Sequence, residues 1–245
     1  MRKLLILALC LISATSFATI AQNLGGKINV AGVATATVTF TPGTGNQVVC
    51  YLNSSVAITL VSIVDNNSNA LTGMVANPVV SSTSVHLYGF YGTAITGATS
   101  YIASWTTNAT ASMVCEDYSG VVAVNSALSG NTATGSSATD SITVTTEDAN
   151  NWVVCGMGEG IQTLTASVGN SRQQVTAGAS GKSLLLDNTV VSPGSVTCTA
   201  TLTSAAWAAA VIELRTSAGA SGHCAACDIS WNTWGRFEPE DYDGL

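Results

Sequence analysis

Few residues in this chain can do chemistry. Among 245 residues there are two histidines, His86 and His223, seven cysteines, fourteen carboxylates and seven basic side chains. His86 lies in the aromatic run His86-Leu87-Tyr88-Gly89-Phe90-Tyr91, and His223 precedes Cys224-Ala225-Ala226-Cys227. A serine hydrolase built on His86 needs a serine in a diagnostic context, and none of the serines has one; there is no nucleophile elbow, HExxH or paired-histidine motif. A glycoside hydrolase needs two carboxylates roughly 5–10 Å apart across a cleft. Glu116, Asp117, Glu159, Asp187 and Glu213 are the candidates. Glu116 and Asp117 are adjacent on one strand, so they project to opposite faces and cannot form that pair. Turn and edge acids are the simpler reading, and no residue is assigned as catalytic.

Asp65, Asn67 and Asn69 have the alternate spacing of a calcium loop. The expected glycine and final acid are replaced by Ala70 and Ala76, and an Asx-rich turn explains the segment without an ion. Calcium at these three residues is the lesser reading, and no other cofactor is expected.

Carbohydrate binding makes better use of what the chain has. Sugars are uncharged, aromatic faces stack on their C–H groups, and Asn, Thr and Asp bond their hydroxyls. Tyr88, Tyr91, Trp105, Trp231 and Trp234 are the candidate ligand-binding residues. Tyr88 and Phe90 share one strand face while Tyr91 takes the other, so one of these faces is expected in the core.

The charge pattern narrows the partners further. Between Ile28 and Ser171 there is no lysine or arginine. Gripping a phosphate backbone needs clustered cations, so nucleic acid is not expected as a partner. The amino terminus reads as a secretory signal peptide over residues 1–21. Arg2 and Lys3 precede the apolar run Leu4 to Ile12, which is too short to span a bilayer, and small residues allow cleavage after Ala18 or after Ala21. Cleavage leaves five basic against fourteen acidic residues, a net charge of −9. A secreted, extracellular or periplasmic chain with no membrane span is expected.

Cys10 leaves with the signal. Cys50, Cys115, Cys155, Cys198, Cys224 and Cys227 remain, and an even count in an exported chain favours disulfides, at least two of them. The sequence does not select among their pairings. The Cys224/Cys227 pair is followed by Asp228, not by the histidine that haem attachment requires, and a four-cysteine zinc site lacks a second close pair. Asn53, Asn66 and Asn108 head N-x-S/T sequons, which carry glycans only where the source glycosylates them.

The elements that must hold these residues are strands. Ala34-Thr35-Ala36-Thr37-Val38-Thr39-Phe40 alternates apolar and hydroxyl residues, as do Ser141 to Thr145 and Val196 to Leu202. A two-residue period gives one face to a core and one to water, and threonine suits the wet face because it is β-branched and polar. Eleven strands are expected, over 29–40, 47–53, 57–64, 84–91, 99–106, 111–118, 139–146, 151–158, 183–191, 195–203 and 206–215, the last in spite of its alanines. Turn signals such as Thr41-Pro42-Gly43 and Pro193-Gly194 separate them. Ser126 to Thr139 reads as a loop. An all-β, antiparallel two-sheet sandwich over residues 22–215 follows, with a linker and a Cys/Trp/acidic tail over 216–245.

Several motifs carry a resemblance. Leu60-Val61-Ser62-Ile63-Val64-Asp65 with its Asn-rich turn, Glu116-Asp117-Tyr118-Ser119-Gly120-Val121, Trp152-Val153-Val154, Leu186-Asp187, Ser192-Pro193-Gly194-Ser195 and Trp207-Ala208-Ala209-Ala210 occur in order. From Gln47 to Arg215 this order resembles a secreted β-sandwich module that recurs in bacterial exported and phage-type proteins. The resemblance implies a jelly-roll-like sandwich and lends no activity, because that family has no agreed chemistry. The reading is a secreted, non-catalytic binding or adhesion protein for a neutral ligand, a carbohydrate or a cell or matrix surface component. The alternative is a structural subunit of an extracellular assembly, in which the chain is a homo-oligomer. A glycan-directed hydrolase ranks third.

Overall fold

The computed structural model describes residues 19–125, 131–176, 178 and 181–216. All the elements among them are strands, in two antiparallel sheets of seven, which is the expected β-sandwich class. The first sheet holds β1 (Ala21–Thr39), β2 (Gln47–Ser54), β3 (Leu60–Asp65), β4 (Thr72–Gly73), β5 (Val79–Ser82), β6 (Val85–Thr93) and β7 (Ser100–Ser119). The second holds β8 (Ala123–Asn125), β9 (Thr132–Thr146), β10 (Trp152–Glu159), β11 (Thr165–Val168), β12 (Asn170–Gln174), β13 (Lys182–Thr189) and β14 (Gly194–Arg215).

The two sheets share one pairing scheme. In the first, β7 is flanked by β1 and β2, β6 follows β2, and β3 pairs with the early part of β7. In the second, β14 is flanked by β8–β9 and β10, β13 follows β10, and β11 pairs with the early part of β14.

Each sheet bends over on itself. The pairing of β1 with β7 shifts register between Val30 and Thr35, and that of β9 with β14 between Thr201 and Ala205. Such bulges bend and twist a strand. As a result, Ala36, Val38, Tyr101, Ala103 and Trp105 beyond the first bulge face Val48, Cys50, Leu52, Met113 and Cys115 across one apolar cluster. Ile142, Val144, Cys198 and Leu202 face Val153, Cys155, Met157, Leu184 and Val211 across another. A third cluster, with Val49, Tyr51, Val85, Leu87 and Val114 from the first sheet and Val154, Leu185, Ala208 and Ile212 from the second, joins the two inner layers. The order is therefore outer layer, inner layer, inner layer, outer layer.

The inner strands are buried on both faces, which is why Gln47-Val48-Val49-Cys50-Tyr51-Leu52 reads as an apolar run and not as an alternation. Valine and leucine buried in this way contribute roughly 1.5–3 kcal/mol each. Where the inner layers meet, two glycines make room: a Cβ on Gly156 would lie 2.1 Å from the Tyr51 ring, and one on Gly158 2.8 Å from Asn53 Cγ. Tyr51 then donates its hydroxyl to the Val154 carbonyl at 3.0 Å, and Asn53 donates to the carbonyls of Glu159 and Lys182, both at 2.8 Å. Asn53 is thus fully buried and cannot be a glycan acceptor; Asn66 and Asn108 are exposed.

Two disulfides form, Cys50–Cys115 and Cys155–Cys198. The first joins neighbouring strands of the inner layer at a directly paired position. The second ties the outer strand segment holding Cys198 to β10 beneath it. Cys224 and Cys227 lie outside the described residues.

Four expectations need correction. The pairs 99–106/111–118 and 195–203/206–215 are each one long strand continuing through a bulge, β7 and β14. Residues 132–139 of the expected loop are the first half of β9, because alternating Thr and Ser there pair with Ala205 to Ala210. The short strands β4, β5, β8, β11 and β12 have too few residues to show a period.

Candidate functional site

The candidate aromatic residues fall in different places. Tyr88 is buried and donates its hydroxyl to the Ile58 carbonyl at 2.8 Å; Trp105 is buried with its indole N–H on the Val33 carbonyl at 3.0 Å. Neither ring offers a face to a ligand. Tyr91 is half-buried and packs on the cluster between the inner layers. Trp231 and Trp234 lie outside the described residues. Tyr88, Tyr91 and Trp105, the three that are described, do not converge on one surface.

The acids are interior and occupied. Asp117 accepts from the backbone N–H of Leu24 and Gly43, at 2.6 and 3.0 Å, and from Asn46 Nδ2 at 2.6 Å. Glu213 accepts from Asn125 and Asn151, at 2.7 and 2.9 Å, and from Arg215 at 3.1 Å. Glu159 accepts from the Gln162 N–H, and its burial raises its pKa. Asp65 caps its own turn, accepting from Asn67 N at 2.8 Å and Asn69 N at 2.9 Å. The Asx turn therefore accounts for the three calcium candidates. His86 is buried, with Nδ1 unpartnered.

Glu116 and Asp187 belong to a network across the seam between the sheets. Arg172 on β12 donates to Asp187 at 2.6 Å and stands 5.5 Å from the Trp152 ring centroid. Tyr118 donates to Asp187 at 3.2 Å. Gln22 and Gln173 both donate to Glu116, whose pKa burial raises while these two bonds oppose the rise. The sequence held no sign of this cluster, since β1, β7, β12 and β13 supply its members from positions far apart. Three concavities of about 240, 320 and 450 Å³ open on the surface, and no histidine, cysteine or carboxylate lines any of them. The seam network closes the joint between the sheets.

The outer layers present a different arrangement. On β9 the residues facing away from the core are Thr139, Ser141, Thr143 and Thr145, and opposite them on β14 stand Thr201, Thr199, Thr197 and Ser195. Every one of the eight carries a hydroxyl. Thr143 and Thr197 hydroxyls lie 2.8 Å apart, and those of Ser141 and Thr199 3.3 Å. Thr165 on β11 extends the row of Thr201. The pleat spaces such rows by two residues, about 6.6 Å along a strand, and by about 4.8 Å between strands. The result is a regular lattice of hydroxyls and methyls with no charge. Asp140, Ile142 and Val144 alternate with it on the buried face, and Cys198 fastens it through its disulfide. The Thr/Ser alternation was visible in the sequence as a wet strand face, but the pairing that turns it into a two-dimensional array was not.

No protein-family model matches this chain, and no curated protein matches it.

Proposed function

We propose that this protein is an exported, non-catalytic binding protein that recognises an uncharged polysaccharide surface through the hydroxyl face of β9 and β14. The observation that carries the reading is the eight-residue Thr/Ser lattice without a charged member. Threonine hydroxyls both donate and accept hydrogen bonds, and their methyls pack on sugar C–H groups, so a repeated array suits a repeated ligand. Burial of the candidate acids Glu116, Asp117, Glu159, Asp187 and Glu213 against protein donors supports recognition over hydrolysis, because a general acid or nucleophile has to reach substrate. The two disulfides fit an oxidising compartment. Ile20, buried in the cluster between the inner layers, favours signal cleavage after Ala18 over cleavage after Ala21, which would remove it.

The test is depletion of the purified chain from solution by cellulose, chitin and other insoluble neutral polysaccharides, at low and high salt. Retention by at least one of them, unaffected by salt, is expected. No retention by any, together with concentration-dependent polymers in light scattering, would replace this reading with the structural-subunit one.

A further inference from the structure

We infer that the amino-terminal half carries a second recognition face, so that the molecule is bivalent and bridges two polysaccharide surfaces; this rests on the carbohydrate reading of the β9–β14 face. The chain contains an internal repeat. Asn46-Gln47-Val48-Val49-Cys50 enters β2, and Asn151-Trp152-Val153-Val154-Cys155 enters β10. Val48 is paired with Asp117 on β7, and Val153 with Glu213 on β14. In both halves the asparagine side chain donates to that buried acid, at 2.6 Å from Asn46 and 2.9 Å from Asn151. Matching pairing of the main strands (β1, β7, β2, β6 and β3 against β9, β14, β10, β13 and β11), one recurring motif and one recurring buried contact make β1–β7 and β8–β14 two copies of a single design.

The repeat carries the β9–β14 face onto β1 and β7. Thr35, Thr37 and Thr39 are exposed and stand opposite Ser104, Ile102 and Ser100. Ser62 and Val64 on β3 extend the first two rows. Again no charged residue belongs to the face. Ile102 and Val64 make its middle row aliphatic beyond Thr37, which adds apolar contact for sugar C–H groups and sets its preference apart from that of the all-hydroxyl face. Ala36 and Val38 alternate with the threonines and enter the core, as Ile142 and Val144 do in the other half.

Layer order fixes how the two faces are used. Each face lies on an outer layer, and two inner layers separate them, so they look out from opposite ends of the molecule. Both cannot rest on one flat surface, and no avidity arises on a single particle. What two opposed faces do is join one particle to another.

Agglutination of a polysaccharide suspension that the wild-type chain binds tests this. Thr143→Glu/Thr197→Glu removes one face and Thr35→Glu/Thr37→Glu the other. The four positions are on outward strand faces, and the Thr→Val versions keep the β-branch as a control for folding. Wild type is expected to agglutinate the particles. Each single-face variant should still bind, within about twofold of wild type because the faces act separately, and should fail to agglutinate. The four-site variant should not bind. Agglutination by Thr35→Glu/Thr37→Glu at wild-type level, or wild-type binding without agglutination, overturns bivalency and leaves the β9–β14 reading intact. No binding by wild type to any polysaccharide overturns both.

Discussion

Asp140 shows how a single residue departs from the design around it. It is fully buried beside Ile142 and Val144, both its oxygens lack a partner, and burial holds its pKa well above the usual carboxylate value. Ala36 stands at the corresponding place after the bulge in the other half. An unfolded aspartate ionises at about 4, and burial moves that ionisation to higher pH in the folded chain. The stability this site permits is therefore full below that pH and is lost as pH rises toward the folded value. Asp140→Ala is expected to raise the unfolding free energy at pH 8 by about 1–3 kcal/mol and to give a much smaller gain at pH 4. Urea unfolding at the two pH values checks this; an equal effect at both would contradict it. Gly156 is a second such position. Gly156→Ala drives a methyl into the Tyr51 ring between the inner layers, and a loss of about 1–3 kcal/mol is expected in the same assay. Neither effect is legible in the sequence, where Asp140 and Gly156 simply fall within the expected strands 139–146 and 151–158.

At the scale of elements, strand identity was legible wherever one face is wet. The TxT segments gave β1, the later part of β9 and the early part of β14 because threonine and apolar residues alternate there. The alanine-rich stretch before Leu214 was also read as strand, and its pairing with β10 bears this out. Bulges are not legible, because the sequence does not show which residues pair across strands, and so each of two continuous strands reads as two. The consequence is functional, because those bulges fold the outer layers over and lift the hydroxyl rows onto exposed ground. The Cys155–Cys198 disulfide then holds the outer layer of the second half to its inner one. It closes a loop with a sequence separation of 43. Its replacement by Cys155→Ala/Cys198→Ala should cost about 2–4 kcal/mol of stability, measured by thermal or urea unfolding. It should also weaken polysaccharide retention more than the Cys50→Ala/Cys115→Ala pair does, because that pair does not touch the β9–β14 layer.

For the molecule as a whole, the exclusion that the sequence supports most directly is of a polyanion grip. Of the four cations among the described residues, Arg172 and Arg215 are held by acids and Lys182 donates to the carbonyls of Thr176 and Gly178. What the sequence could not supply was the internal repeat, because the halves share pairing and only a five-residue motif. The proposed export has a consequence of its own: cleavage after Ala18 would leave Ile20 in the core and Ala21 paired with Ser119. Amino-terminal sequencing of the exported chain should read Thr19-Ile20-Ala21, and a start at Gln22 would contradict that assignment.

The central claim is that an uncharged hydroxyl lattice does the recognising. The binding isotherm of wild type and of Thr143→Glu/Thr197→Glu on one insoluble neutral polysaccharide, at low and high salt, addresses it most directly. Wild-type affinity is expected to be independent of salt, and the two glutamates should abolish the contribution of the β9–β14 face while leaving the unfolding midpoint near that of wild type. Unchanged binding when Thr35→Glu/Thr37→Glu are added to that variant, or wild-type binding that fades with salt, would contradict the claim.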